Sequence, residues 1–133
     1  MKRYLTVLAL AAILTACATP PLTPQQAAAA NYGAIVTQAD AEAAAKAWLS
    51  TYLKDPYSAV EAWQPVDHGY VTTSILEGQQ RYFGYLLNGT VNAKNAYGGY
   101  VGARAFQFLI RNGQVVHVSA ADPDTGVMMT VHD

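Results

Sequence analysis

Hydrophobic and polar positions change period several times along this chain. A short basic start, Met1-Lys2-Arg3-Tyr4, leads into an apolar run from Leu5 to Leu14 broken by Thr6. That run falls well short of the ~20 apolar residues a bilayer-spanning helix needs. From Thr37 the apolar positions recur at Ala41, Ala44, Ala45, Trp48, Leu49, Tyr52 and Leu53, one stripe at helical spacing. Thr37 suits the N-cap, with Asp40 three residues on. Lys54-Asp55-Pro56 ends the helix, because proline disfavours α geometry in the residue before it. Trp48 and Tyr52 lie on the stripe and are expected in the core.

Beyond Pro56 the period becomes two. Ala59 to Gln64 predicts a short strand carrying Val60 and Trp63, and residues 65–78, with Pro65, Asp67, Gly69 and Gly78, read as a loop that leaves room for a short strand at Tyr70 to Thr73. Gln80 to Ala93 alternates with Phe83, Tyr85, Leu87, Val91 and Ala93 on one face. Asn88-Gly89 is a two-residue turn signal, but the alternation keeps its phase through it. The pattern favours one long strand with a bulge at Gly89. Tyr100 to Arg111 and Gln114 to Ala120 flank Asn112-Gly113, the strongest hairpin signal in the chain. Asp122-Pro123-Asp124-Thr125-Gly126 predicts a tight turn before a last strand, Val127 to Val131. Short links between strands predict antiparallel neighbours. The expected fold is α+β: one N-terminal helix packed on a four- to five-stranded antiparallel sheet.

The start of the chain adds an address. A basic start, a short apolar run and small residues before a cleavage point describe a secretory signal. Leu14-Thr15-Ala16-Cys17 resembles the lipobox of bacterial prolipoproteins, in which the cysteine receives diacylglycerol. The resemblance implies cleavage before Cys17, a lipid on Cys17 and anchoring at a membrane. Ala18, by the sorting rule of those lipoproteins, implies the periplasmic face of the outer membrane. Cys17 is the one cysteine in the chain, so the domain is expected to fold without a disulfide. Three segments follow: residues 1–16 as signal peptide, 17–36 as lipidated cysteine and Pro/Thr/Ala-rich tether, and 37–133 as a single domain. A short helix within Gln25 to Ala30 fits that composition.

Charge then narrows the partners. The chain has eight Lys and Arg against nine Asp and Glu. Lys2 and Arg3 leave with the signal segment, so six cations remain, at Lys46, Lys54, Arg81, Lys94, Arg104 and Arg111. They form no basic patch, which argues against a nucleic-acid partner. The expected partners are the membrane, through Cys17, and an envelope protein or peptidoglycan.

One segment carries more chemistry than a turn requires. Asn92-Ala93-Lys94-Asn95-Ala96-Tyr97-Gly98-Gly99-Tyr100-Val101-Gly102 holds three glycines, two asparagines, two tyrosines and a lysine. As a recognition loop, Tyr97 and Tyr100 supply rigid contact area, Lys94 a charge, and Asn92 and Asn95 donors and acceptors. As a wide hairpin connection, the asparagines satisfy backbone groups and Lys94 is solvated. Together, Leu53 to Ala59 and Asn92 to Tyr100 resemble a family of small proteobacterial lipoproteins and phage-associated proteins, over roughly residues 40–120. Relatives carry a cysteine where this chain has Leu87 or Asn88, so no role of that thiol carries over. The resemblance implies no activity.

No catalytic constellation stands out. His68, His117 and His132 lack the spacing of a zinc pair, and Ser50, Ser58, Ser74 and Ser119 lack a nucleophile-elbow motif. No metal or cofactor is expected. Asp122-Pro123-Asp124-Thr125 is half a calcium loop but reads as a turn. Glu61, Asp67 and Glu77 leave a carboxylate-dependent hydrolase as a minor alternative. An inhibitor or exclusion lipoprotein of phage or defence type is a second alternative, although the disulfides and Ser-Gly-x-x-Tyr loop of such lysozyme inhibitors are missing. The leading expectation is a non-enzymatic binding or structural module of the cell envelope.

Overall fold

The computed structural model describes residues 19–131; the signal segment, Cys17 and His132 lie outside them. The architecture is α+β, with the long helix packed on one face of a six-stranded antiparallel sheet. In chain order the elements are α1 (Pro24–Ala29), α2 (Gln38–Tyr52), β1 (Val60–Trp63), β2 (Asp67–Thr72), β3 (Arg81–Asn92), β4 (Arg104–Arg111), β5 (Gln114–Ala121) and β6 (Met128–Thr130). Two 3-10 turns, Pro56–Ser58 and Ile75–Glu77, join α2 to β1 and β2 to β3. Among the described residues no helix is long and apolar enough to cross a membrane.

Helix α2 forms where its cap and stripe predict. The Thr37 hydroxyl accepts from the Asp40 amide (3.2 Å) and donates to the Asp40 carboxylate (2.7 Å). Ala41, Ala45 and Leu49 are buried, and the two alanines let the helix backbone approach the sheet closely. Against them lie Leu87 and Val91 of β3, Phe106, Phe108 and Ile110 of β4, and Val118 and Ala120 of β5. Trp48 meets Phe108 edge-on at 5.6 Å and stacks on Tyr52 at 4.7 Å.

The sheet has six strands rather than four or five because one edge is broken. β1 pairs with residues 89–92 of β3 and β2 with residues 81–86, so the two run end to end along the same neighbour. Pro65 lies at the break and has no N–H for the ladder. The Gln38 side chain bridges the gap, accepting from Val66 N (2.7 Å) and donating to Gln64 O (3.3 Å).

The short helix that fits the composition of Gln25 to Ala30 forms as α1, closed by a capping box between Thr23 and Gln26, so two helices rather than one precede the sheet. The packed structure also begins before residue 37. Val36 is buried, and Tyr32 sits edge-on to Phe83 and His68 while its hydroxyl donates to Ala27 O (2.9 Å). Arg111 donates to Asn31 O (2.7 Å), and the Asn112 carboxamide oxygen accepts from Ala34 N (2.9 Å). The second half of the expected tether therefore lies on the sheet.

β3 runs unbroken through Gly89, which pairs with Trp63 on one side and Phe106 on the other. The glycine makes room for a side chain rather than a bulge. A Cβ there would fall 2.3 Å from the Trp63 ring and 2.6 Å from Ala62 O. Gly89→Val is expected to displace Trp63 from its edge-on contact with Phe108 (5.8 Å) and to cost about 1–3 kcal/mol, as overpacked cores do. A urea titration checks this; an unchanged midpoint would refute the close fit. The bulge lies instead in β5, where Val116 is the extra residue between the pairs Ile110–Val115 and Leu109–His117.

Candidate partner-binding site

The loop after β3 is built by its asparagines. Lys94 and Tyr100 face each other as an isolated bridge. Inside it, Asn95 N donates to Gly99 O (2.8 Å) and Gly98 N to Asn95 O (3.0 Å). The Asn95 carboxamide oxygen accepts from Tyr97 N (2.9 Å) and Gly99 N (3.1 Å). Gly98, at φ 81°, turns the chain where a Cβ would be strained. Farther back, the Asn92 oxygen accepts from Gly102 N (3.1 Å). Asn92 and Asn95 thus commit their carbonyl oxygens to holding the loop's shape.

The tyrosines divide the remaining work. Tyr100 donates to Ser58 O (3.1 Å), tying the loop to the turn before β1. Lys94 Nζ stands 5.4 Å from the Tyr100 ring centroid, a cation–π geometry that keeps the ammonium beside the aromatic face. Tyr97 touches neither; it projects from the tip, 97% exposed.

Pairing of Val60 with Asn92 brings the start of β1 to the same end of the sheet. With it come Tyr57, fully exposed, and Val60, 61% exposed. Val101 is also exposed beside Tyr100. Sequence reading singles out Lys94, Tyr97 and Tyr100 but misses Tyr57, Val60 and Val101. Tyr57 follows a proline in a turn, and nothing local to it reports that Tyr100 is anchored next door on Ser58, 42 residues before it.

The other candidates lie apart. Glu61 accepts from the Trp63 indole (3.2 Å) and pairs with Lys46 (3.6 Å). Asp67 contacts His68 Nδ1 at 2.7 Å, and Glu77 accepts from Ser74 N (3.1 Å) and Oγ (2.8 Å). Glu61 lies opposite Val91 and Asp67 opposite Leu86. Five residues of β3 separate those positions, about 17 Å at the rise of a strand, and Glu77 lies farther on, past Arg81. This spread exceeds the ~5–10 Å at which a carboxylate pair acts on one bond. His117 lies 3.1 Å from Ser119 Oγ and, with Glu77 and Tyr82, borders a cleft of about 430 Å³ along β5. Among the described residues no group of three His, Cys, Asp or Glu is placed to hold a metal ion.

Asp122 shows why its half-motif is a turn. Its carboxylate accepts from Thr125 N (2.9 Å), Thr125 Oγ1 (2.9 Å) and Asp124 N (3.1 Å). The bonds from Thr125, backbone first, hold this carboxyl below the ordinary aspartate range.

Searches of protein-family models, curated proteins and solved structures return no match to this chain.

Proposed function

We propose that the chain is a lipid-anchored lipoprotein of the cell envelope, held on the periplasmic face of the outer membrane through Cys17, and that its domain binds an envelope partner without catalysis. The observation that carries the binding role is the exposed aromatic end: Tyr57 and Tyr97 almost wholly in solvent, with half-exposed Tyr100 fixed between them and Lys94 against its ring. Exposed apolar clusters rimmed by polar groups mark interaction sites. Tyrosine is favoured in them because it supplies large contact area at a small entropy cost. A loop whose backbone is already hydrogen-bonded needs little further ordering on binding.

The test is capture from solubilised envelopes with the full lipidated chain as bait, beside the variant carrying Tyr57→Ala and Tyr97→Ala. The substituted side chains are exposed, so the melting temperature is expected to hold, as for surface changes within about 0.5 kcal/mol. Recovery of the partner is expected to fall about tenfold or more, the loss of a single hot-spot contact. An identical set of captured proteins would reject the aromatic end as the contact. A projecting rigid loop also suits an inhibitor that enters an enzyme cleft. Muralytic enzyme rates unchanged by the purified lipoprotein would reject that second reading.

A further inference from the structure

The β2–β3 hairpin ends in a tip that is rigid and apolar at once. Thr73 N donates to Gln80 O (2.9 Å), and Gln80 N donates to the Thr73 hydroxyl (3.0 Å), closing its base. Glu77 caps Ser74 from within, and Gly78 and Gln79 take positive φ to return the chain. The turn therefore holds its shape while presenting Ile75, 69% exposed, and Leu76, 98% exposed, outward. Two aliphatic side chains at the apex of a polar hairpin are a cost in water.

The N-terminal segment runs to the base of this same hairpin. Arg81, the first residue of β3, donates to Pro20 O, and the Thr19 hydroxyl oxygen is enclosed beside it. Cys17 is three residues before Pro20, so their Cα atoms are within about 11 Å whatever the conformation between them. At the far end of β3, eleven residues and about 37 Å away, stand the loop and its tyrosines.

We infer that Ile75 and Leu76 form a second membrane contact, seated in the interface of the bilayer that holds the acyl chains on Cys17. This rests on the lipoprotein reading above. The lipid keeps the tip beside the bilayer at high effective concentration. Two aliphatic side chains are far smaller than the ~800 Å² per partner of a stable protein interface, yet they suit shallow insertion among lipid chains. Lipid at Cys17 and tip at Leu76 together fix how the domain stands. β3 then points away from the membrane and carries Tyr97 outward.

The full chain is purified from membranes and reconstituted in phosphatidylethanolamine–phosphatidylglycerol vesicles, as Leu76→Cys or as Tyr97→Cys. Each is labelled with the same thiol-reactive, polarity-sensitive dye, so the dye's own affinity for lipid is shared. A lipidated Cys17 has no free thiol, and one dye per chain is expected. Two dyes per chain would show Cys17 unmodified and overturn the lipoprotein reading itself. With one dye, the label at 76 is expected to shift to the blue and to be quenched several-fold more by nitroxide-bearing lipid than the label at 97, which aqueous iodide quenches instead. Equal response at the two positions would overturn the inference. So would a label at 76 shielded from iodide and untouched by the lipid quencher, since a protein would then cover the tip.

Discussion

Replacing Phe108 by alanine is expected to cost about 3–5 kcal/mol, the range for deleting a buried phenylalanine. For a domain of this size that is a fall in melting temperature of more than about 12 °C. Phe108 is fully buried at the middle of β4. Its ring is met edge-on by Trp48 from α2 and by Trp63 from β1, and stacks on Phe106 at 5.9 Å. The cavity left by alanine has little means of collapse. Its floor is a strand hydrogen-bonded on both sides, and helix α2 above already contributes alanines at 41 and 45. Stability of small domains is about 5–15 kcal/mol in total, so the variant loses a large share of it. Thermal unfolding followed by near-ultraviolet circular dichroism reads the result, because both tryptophans lose their packed edge. A shift of less than a few degrees would mean that Phe108 is not the centre of the core.

The elements that were legible in the sequence are those specified by near neighbours. Thr37 and Asp40 mark the start of α2 within one turn, and Ala41, Ala45 and Leu49 mark its buried face by spacing alone. The turn at Asn112 and Gly113, both at positive φ, is set by two adjacent residues. The alternation of β3 likewise announces which face holds Leu87 and Val91.

What escaped depends on partners far along the chain. A single Tyr32 in an alanine-rich stretch creates no period, and its place on Phe83 depends on Arg111 and Asn112, some eighty residues on. Glycine relaxes backbone geometry, so the sequence pattern points to a bulge at Gly89. The structure uses the glycine because Trp63 needs the space across the strand. The break at Pro65 is readable as a missing donor, but not that Gln38, 28 residues before Val66, spans it. The candidate site shows the same division. Asn92 and Asn95 act within the loop, as their spacing allows, whereas Tyr57 joins the loop through the β1–β3 register and the Tyr100–Ser58 bond.

Cys17→Ala, made behind a secretory leader that is cleaved without a lipid-bearing cysteine, is expected to move the protein from the membrane fraction to the soluble periplasm almost completely. Each buried CH2 contributes about 0.8 kcal/mol, so one long acyl chain adds about 10 kcal/mol, and stable anchoring takes two such signals. Ile75 and Leu76 could replace little of this, since a fully buried aliphatic side chain is worth about 1.5–3 kcal/mol. In the proposed arrangement the tip orients a domain that the lipid retains, and the tip alone would leave weak, reversible binding. The folded part should not notice the change, because its described core lies beyond Cys17 and contains no other cysteine. Fractionation, mass spectrometry of the N-terminal peptide and a thermal melt together decide the matter. The expected set is loss of the acylated peptide, release from the membrane and an unchanged melting temperature. A variant that stays with the membrane at full occupancy would reject Cys17 as the anchor. It would leave the docked segment from Pro20 to Val36 and the hairpin tip to be explained without one.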